Sequence, residues 1–176
     1  NSTLEHNANG AAASSSVDRA GRGSNSSTTV FIRGAQPVVY NNIIQTNEGS
    51  AISANVNALN YQIVTDLGRS RGSIDKISSV GNHGPLVQKN RLADNAINGM
   101  IVRGGVMTTE GVWDDTDIVH VVQDEIVASD FNHYGGLRLT STPGQSLVVK
   151  SSGQNAGITA HGVALDNANR IGGSVQ

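Results

Sequence analysis

One unit occurs twice in this chain, and that repetition limits the available folds more than any other feature. The segment from Pro37, PVVYNNIIQTNEGSAISAN, aligns without a gap with the segment from Pro85, PLVQKNRLADNAINGMIVR. Pro37 falls on Pro85, Asn42 on Asn90, Ile44 on Leu92 and Asn47 on Asn95. Ile52 then falls on Met100, and Ala54 on Val102. A weaker copy opens the chain, where Leu4 and Asn7 match Ile44 and Asn47. The shared pattern is Asn-x-(Ile/Leu)-x-x-Asn, a turn of small residues, then a short apolar strand. Repeats of this kind build solenoids, in which each copy buries its apolar side on the next. The aliphatic residue points inward and fills one layer of a narrow core. The asparagines suit the bends, because Asn tolerates left-handed backbone and bonds to nearby backbone groups. Stacked in successive copies, they are expected to bond to one another along the stack.

Later segments continue the theme less regularly. Ile118–Val122, Glu125–Val127, Leu137–Thr140, Leu147–Lys150 and Ile158–Ala160 read as further short strands. No segment keeps helical apolar spacing for three turns, and Gly or Asn interrupts each candidate. A β-sandwich also uses many short strands, but its strands alternate strictly and carry no Asn-bounded repeat. The pattern resembles the parallel β-helix repeats of the pectate-lyase-like superfamily and of NosD-like periplasmic proteins, most closely over Pro37–Arg103. The resemblance implies an all-β, right-handed parallel β-helix, with 1–176 as a single solenoid domain from a larger extracellular protein. Compared with a typical coil of that fold, the two main copies lie about two turns apart, and the part after Asn98 reads as wider coils. Two stretches do not fit a coil, 11–29 and 57–82, and are expected to project sideways as loops.

Composition agrees with a stack of small layers. Aromatics are 3% of the chain and Gly reaches 21, so burial comes from many small aliphatic residues joined by tight bends. Twelve Lys and Arg against fourteen Asp and Glu leave a net charge of −2, without the basic clustering that nucleic acid requires. No apolar run is long enough for a membrane span. Cysteine is absent, which excludes disulfides and thiolate metal sites.

Several groups are candidates for chemistry. Asp114, Asp115 and Asp117 follow Trp113 and offer oxygens to a hard cation such as calcium; otherwise they form an acidic turn. β-Helix polygalacturonases carry an Asp pair, a Gly-His-Gly and an Arg-x-Lys. Asp114-Asp115, Gly81-Asn82-His83-Gly84 and Gly136-Leu137-Arg138-Leu139 resemble these loosely. Here the His motif precedes the Asp pair and the Lys is missing. Two carboxylates flanking a sugar are the requirement for glycoside hydrolysis. Arg69, Arg71 and Asp75 sit in the second loop. Arg69, with Asp114 and Asp115, is the alternative catalytic set of a lyase or hydrolase, with Arg103 as a further neighbour. Arginine also binds carboxylates in pairs of hydrogen bonds, so acidic-glycan binding without catalysis is a third use. His120, His133 and His161 lack metal-ligand spacing, and His120 is expected to face outward or bond locally.

These observations lead first to a structural or interaction module of a secreted or cell-surface protein: a stalk, an adhesin segment or a filament subunit. Its expected partners are a second copy, joined end to end, or another cell-surface protein. The alternative is a carbohydrate-active enzyme or glycan-binding domain with its polysaccharide on the lateral face. The residues most firmly assigned are those of the repeat itself: Asn42, Ile44, Asn47, Asn90, Leu92 and Asn95.

Overall fold

The computed structural model describes residues 2–7, 27–63, 81–129, 136–164 and 170–176, and these are all β, built mainly of parallel sheets. The first strands are β1 (Thr3–Glu5), β2 (Thr28–Ile32), β3 (Val38–Tyr40), β4 (Ile43–Gln45) and β5 (Ser50–Asn55), followed by a 3-10 turn at Val56–Ala58. Next come β6 (Leu86–Gln88), β7 (Arg91–Ala93), β8 (Ile97–Arg103), β9 (Gly105–Met107) and β10 (Gly111–Trp113). They are followed by β11 (Val119–Val122), β12 (Glu125–Ala128), β13 (Gly136–Leu139), β14 (Val148–Ser151) and β15 (Gly157–Ala160). The last are β16 (Gly162–Ala164), β17 (Arg170–Gly172) and β18 (Ser174–Val175).

The largest sheet has the order β14-β11-β8-β5-β2. The others are β1-β4-β7, β3-β6, β9-β12-β15, β10-β13-β18 and the antiparallel pair β16-β17. In most parallel pairs a strand's neighbour is the third strand further along the chain. Parallel neighbours need a long connection, and here the intervening strands supply it by pairing in sheets of their own.

The register sets the core. Val30, Ile52, Met100, His120 and Val149 are successive Cα partners across the large sheet. Ile32, Ala54, Val102, Val122 and Ser151 form the parallel row two residues on. Ile52, Ala54, Met100, Val102, Ile44 and Ile126 are wholly buried. Each larger aliphatic side chain buried in this way contributes about 1.5–3 kcal/mol, which is how a chain poor in aromatics assembles a core.

The two main copies of the repeat are direct neighbours. Val38 pairs with Leu86, Ile44 with Leu92 and Ile52 with Met100. Their separation is therefore one step between hydrogen-bonded strands, where two turns were expected. From β8 onward the steps lengthen along the chain, from twenty residues between Met100 and His120 to twenty-nine between His120 and Val149, and reach thirty-eight between Leu137 and Val175. The loop assignments contract. Thr28 and Thr29 belong to β2. Leu59 is buried in the core, and Asn60 and Ile63 form antiparallel bridges to Gly111 and His83. The start of the 57–82 stretch is thus part of the sheet framework; residues 11–26 and 64–80, with Arg69, Arg71 and Asp75, lie outside the described residues.

The asparagines stack as the repeat predicts. Asn47 Nδ2 donates to Asn95 Oδ1 at 2.6 Å, and Asn7 N donates to Asn47 Oδ1 at 2.7 Å. A second ladder runs from Ser2 N to Asn42 Oδ1, and from Asn42 N and Nδ2 to Asn90 Oδ1. The left-handed backbone, however, falls one residue earlier. His6, Thr46 and Asp94 have φ of 55°, 54° and 53°, and Asn41 and Lys89 have 56° and 55°. The bend residue takes the left-handed conformation, which turns the next side chain, the ladder Asn, toward its copy in the neighbouring strand. Thr46 is the least suited of these residues, since a β-branched side chain resists positive φ. Its side chain is exposed, while its backbone bonds to Ala93 O and His6 N can be kept by another residue. Thr46→Asn is expected to raise stability by about 1 kcal/mol, read as a higher urea midpoint at unchanged slope; a lower midpoint would show that the strain is compensated locally.

Candidate functional site

The acidic run follows β10, at the open edge of the β3-β6 sheet. Leu86 N–H donates to Pro37 O across that sheet, so Val87 and Lys89 present their N–H groups to the other side. Asp115 Oδ1 accepts from Val87 N at 3.2 Å, and Asp117 Oδ2 accepts from Lys89 N at 2.6 Å. Asp114 Oδ2 accepts from His83 N at 2.9 Å. Position 85, between these donors, is a proline with no N–H to satisfy. The carboxylates thus do the work of a third strand, supplying side-chain acceptors where backbone carbonyls would otherwise stand. They are spread along the edge and do not converge on one point. Among the described residues no group of three or more His, Cys, Asp or Glu is placed to hold a metal ion.

Asp114 does more than cap. Its Oδ2 also lies 2.8 Å from His83 Nδ1, with the carboxylate side chain 9% exposed and the imidazole 29%. The shared oxygen holds the ring with Nδ1–H inward and leaves Nε2 as an outward acceptor. Two members of the loose polygalacturonase-like set are therefore in contact. The third, Arg138, lies on β13, where it pairs in register with Val112 and reaches Glu110 at 3.4 Å. The fourth, Asp115, is turned inward and is 2% exposed. Burial pushes its carboxyl up to about 8, against the Val87 N–H bond and with help from the neighbouring Asp114 and Asp117 charges. At neutral pH it is mostly the protonated acid.

His120 corrects an expectation outright. It faces inward, is fully buried, and stacks on Trp113 with centroids 5.4 Å apart and planes 11° from parallel. It occupies the core position that Met100 and Val149 hold in the adjoining strands. Burial pulls its pKa down to about 4, opposed by the Ile118 backbone. Among the described residues the only group that faces the imidazole as an acceptor is the Ile118 backbone, outside normal hydrogen-bond geometry, and Trp113 Nε1 and Asp114 Oδ1 have no hydrogen-bond partner. His161 is exposed beyond β15, and His133 lies outside the described residues. Arg103 packs over the Phe31 ring at 4.3 Å, with Arg33 at 5.1 Å from the same ring. Burial, and then the Arg33 charge, lower its pKa.

A row that the repeat did not reveal crosses five hydrogen-bonded segments: 82–84, 59–63, β10, β13 and β18. Ile63 is the Cα partner of His83, and Asn60 of Gly111. Tyr61 N donates to Glu110 O, which sets Tyr61 beside Glu110. Leu137 is buried in the core, so its neighbours Gly136 and Arg138 face outward, and Ser174 pairs with Gly136. Glu110, Gly136, Arg138 and Ser174 therefore border one shallow hollow. Tyr61 and Ile63 are 54% and 60% exposed, unusual for large apolar side chains. Alternation within 59–63 and β10 was the available signal, but each piece is too short to show a period by itself.

No family model, curated protein or solved structure matches the chain. Its function must accordingly be argued from the geometry alone. No helix among the described residues is long and apolar enough to cross a membrane.

Proposed function

We propose that this chain is a structural and interaction module of a secreted or cell-surface protein, a right-handed parallel β-helix that associates through its open strand edges. The observation that carries this reading is that, among the described residues, β2 and β14 are the outer strands of the large sheet and each has one strand neighbour. Parallel strands with an unpaired row of donors and acceptors are templates for another strand. Beside them the inward side chains Leu4, Val30, Leu147, Val149 and Ile158 are only partly covered, whereas their equivalents in the middle of the stack are buried. The row order supports the solenoid reading, since most parallel strands pair with the third one along. The clearest polar residues, the ladder asparagines and the acidic caps, all serve the stack.

The test uses geometry specific to β14. Ser152 N–H donates to Val122 O, so by alternation Val149 N–H points to the open edge. Proline at 149 removes that outward donor without removing a bond to β11. Sedimentation velocity and electron microscopy over increasing concentration are expected to show linear oligomers, abolished by Val149→Pro. A monomer at every concentration would overturn the association.

The His83–Asp114 contact favours a second reading, a carbohydrate-active site on the lateral face. Glu110 and Asp114 lie four residues apart on extended chain, about 13 Å at ~3.3 Å per residue. The carboxylates of glycosidases stand roughly 5–9.5 Å apart, so this pair does not suit that mechanism. Cleavage of a polysaccharide by the native chain, lost in Asp114→Asn, would establish the second reading over the first.

A further inference from the structure

We propose that the outward face of the large sheet binds a tetrahedral oxyanion, a phosphate or sulfate group, held by Arg103 and Arg33 at the rim of the Phe31 ring above Ser53. A monomer carries this site whole, so it stands or falls separately from edge association.

The site follows from the register. Ile32, Ala54 and Val102 face the core, so their neighbours along each strand face outward. Phe31, Ser53 and Ile101 are successive Cα partners on that face, and Asn55 and Arg103 are partners two residues on. Arg33 follows directly after β2. Arg103 stands on β8 and Phe31 on β2, with β5 between them. Two strand spacings amount to about 10 Å, yet the Arg103 guanidinium lies 4.3 Å from the Phe31 centroid. The two side chains therefore meet over β5, above Ser53 and Asn55. The Arg33 guanidinium lies 5.1 Å from the same centroid.

These groups donate and lack acceptors. Stacking on a ring uses the face of a guanidinium and leaves the N–H groups at its edge. Among the described residues Arg103 has no carboxylate partner; burial and the Arg33 charge are what act on it. Beneath it, Ser53 is wholly buried and its Oγ has no hydrogen-bond partner. Asn55 gives its Oδ1 to Asn57 N, which leaves Nδ2 as a donor. Guanidinium forks match carboxylate and phosphate oxygens in pairs. A carboxylate brings two oxygens and one charge. Two forks with a hydroxyl below them call for more oxygens and a second charge, and a tetrahedral dianion has both. Phe31, Arg33 and Arg103 are half-buried, so the site opens to solvent above and closes on Ser53 below.

The experiment is isothermal titration calorimetry of the whole chain at fixed ionic strength. The probes are sodium phosphate, sodium sulfate and glycerol 2-phosphate, with sodium galacturonate as the carboxylate comparison. Saturable binding of phosphate or sulfate at one site per chain is expected, with galacturonate weaker by roughly tenfold or more. Glycerol 2-phosphate bound as tightly as phosphate supports the site as one for an ester; its rejection supports a site for the free ion. Arg103→Gln is expected to weaken binding by roughly tenfold or more, and Arg138→Gln, on another sheet, to leave it unchanged. Thermal unfolding without ligand verifies that each variant is folded. If Arg103→Gln is not, Arg103→Lys, which keeps the charge and loses the fork, and Ser53→Ala take its place, and both are expected to bind more weakly than the native chain. Absence of saturable binding by phosphate and sulfate would overturn the proposal. So would galacturonate bound as tightly as either, or Arg103 variants that bind like the native chain.

Discussion

Between pH 4 and 6.5 the stability of this chain is expected to stay nearly level, and between 6.5 and 8 to fall by about 2 kcal/mol. Two buried groups of opposite sign produce this profile. Asp115 is raised to about 8 by burial, so from about pH 4 to 8 the folded chain holds a proton that the unfolded chain has released. That difference lowers stability by about 1.4 kcal/mol per pH unit as pH rises. His120 is lowered to about 4, so between about pH 4 and 6.5 the unfolded chain holds a proton that the folded chain lacks. Stability then rises with pH at the same slope, and the two effects cancel. Above 6.5 only Asp115 remains. Each effect can be isolated. Asp115→Asn keeps an acceptor for Val87 N–H but does not titrate, so its stability should climb by about 3 kcal/mol from pH 4 to 6.5 and then level off. His120→Leu should fall steadily from pH 4 to 8, by about 5 kcal/mol in all. Urea midpoints at half-unit pH intervals for the three proteins decide the matter. A native profile that rises up to pH 8 would mean that Asp115 is ionised in the fold.

Asn95→Ala is expected to cost about 3 kcal/mol, the largest loss for a polar surface-type residue in the chain. Asn95 is 9% exposed and ends the Asn7–Asn47–Asn95 ladder. Its Nδ2 donates to Ile44 O and to Asn98 Oδ1, both at 2.8 Å, while its Oδ1 accepts from Asn47 Nδ2. Truncation removes these three hydrogen bonds and leaves Asn47 Nδ2 with only a 3.4 Å bond to Leu4 O; each lost bond costs about 0.5–1.5 kcal/mol. Asn42→Ala is the comparison. Asn42 is half-buried, and its lost partners can turn to water, so about 1 kcal/mol is expected. Chemical unfolding of the two variants tests the difference. Equal losses would show that position in the ladder, and not burial, sets the energy.

These effects bear on how function is to be sought. The conspicuous acidic run is occupied with edge donors, and the most perturbed groups, Asp115 and His120, are buried away from any ligand. Perturbed titration in this chain therefore reports on architecture.

How much was legible beforehand follows from how local each constraint is. The offset between Pro37 and Pro85, with matched asparagines and aliphatics, is the observed register between β3-β5 and β6-β8, because in-register parallel stacking puts like residues opposite one another. The all-β class and the asparagine ladders were written in the sequence for that reason. The count of layers between the copies was not, since spacing along the chain does not say how many residues one layer takes. Nor was the inward turn of His120. A strand alternates, but which face is inside depends on the register with Met100, and the space beside Trp113 exists only once the strands are stacked. His83 and Asp114 are thirty-one residues apart and meet because the edge of β6 needs acceptors. The hollow beside Arg138 is assembled from Glu110, β13 and β18, pieces too short to carry a pattern of their own. The sequence by itself thus determined the repeating unit and what it would stack against. Only the tertiary structure decided which polar groups are spent on that stacking and which are left facing outward, because that depends on hydrogen bonds between segments far apart in the chain.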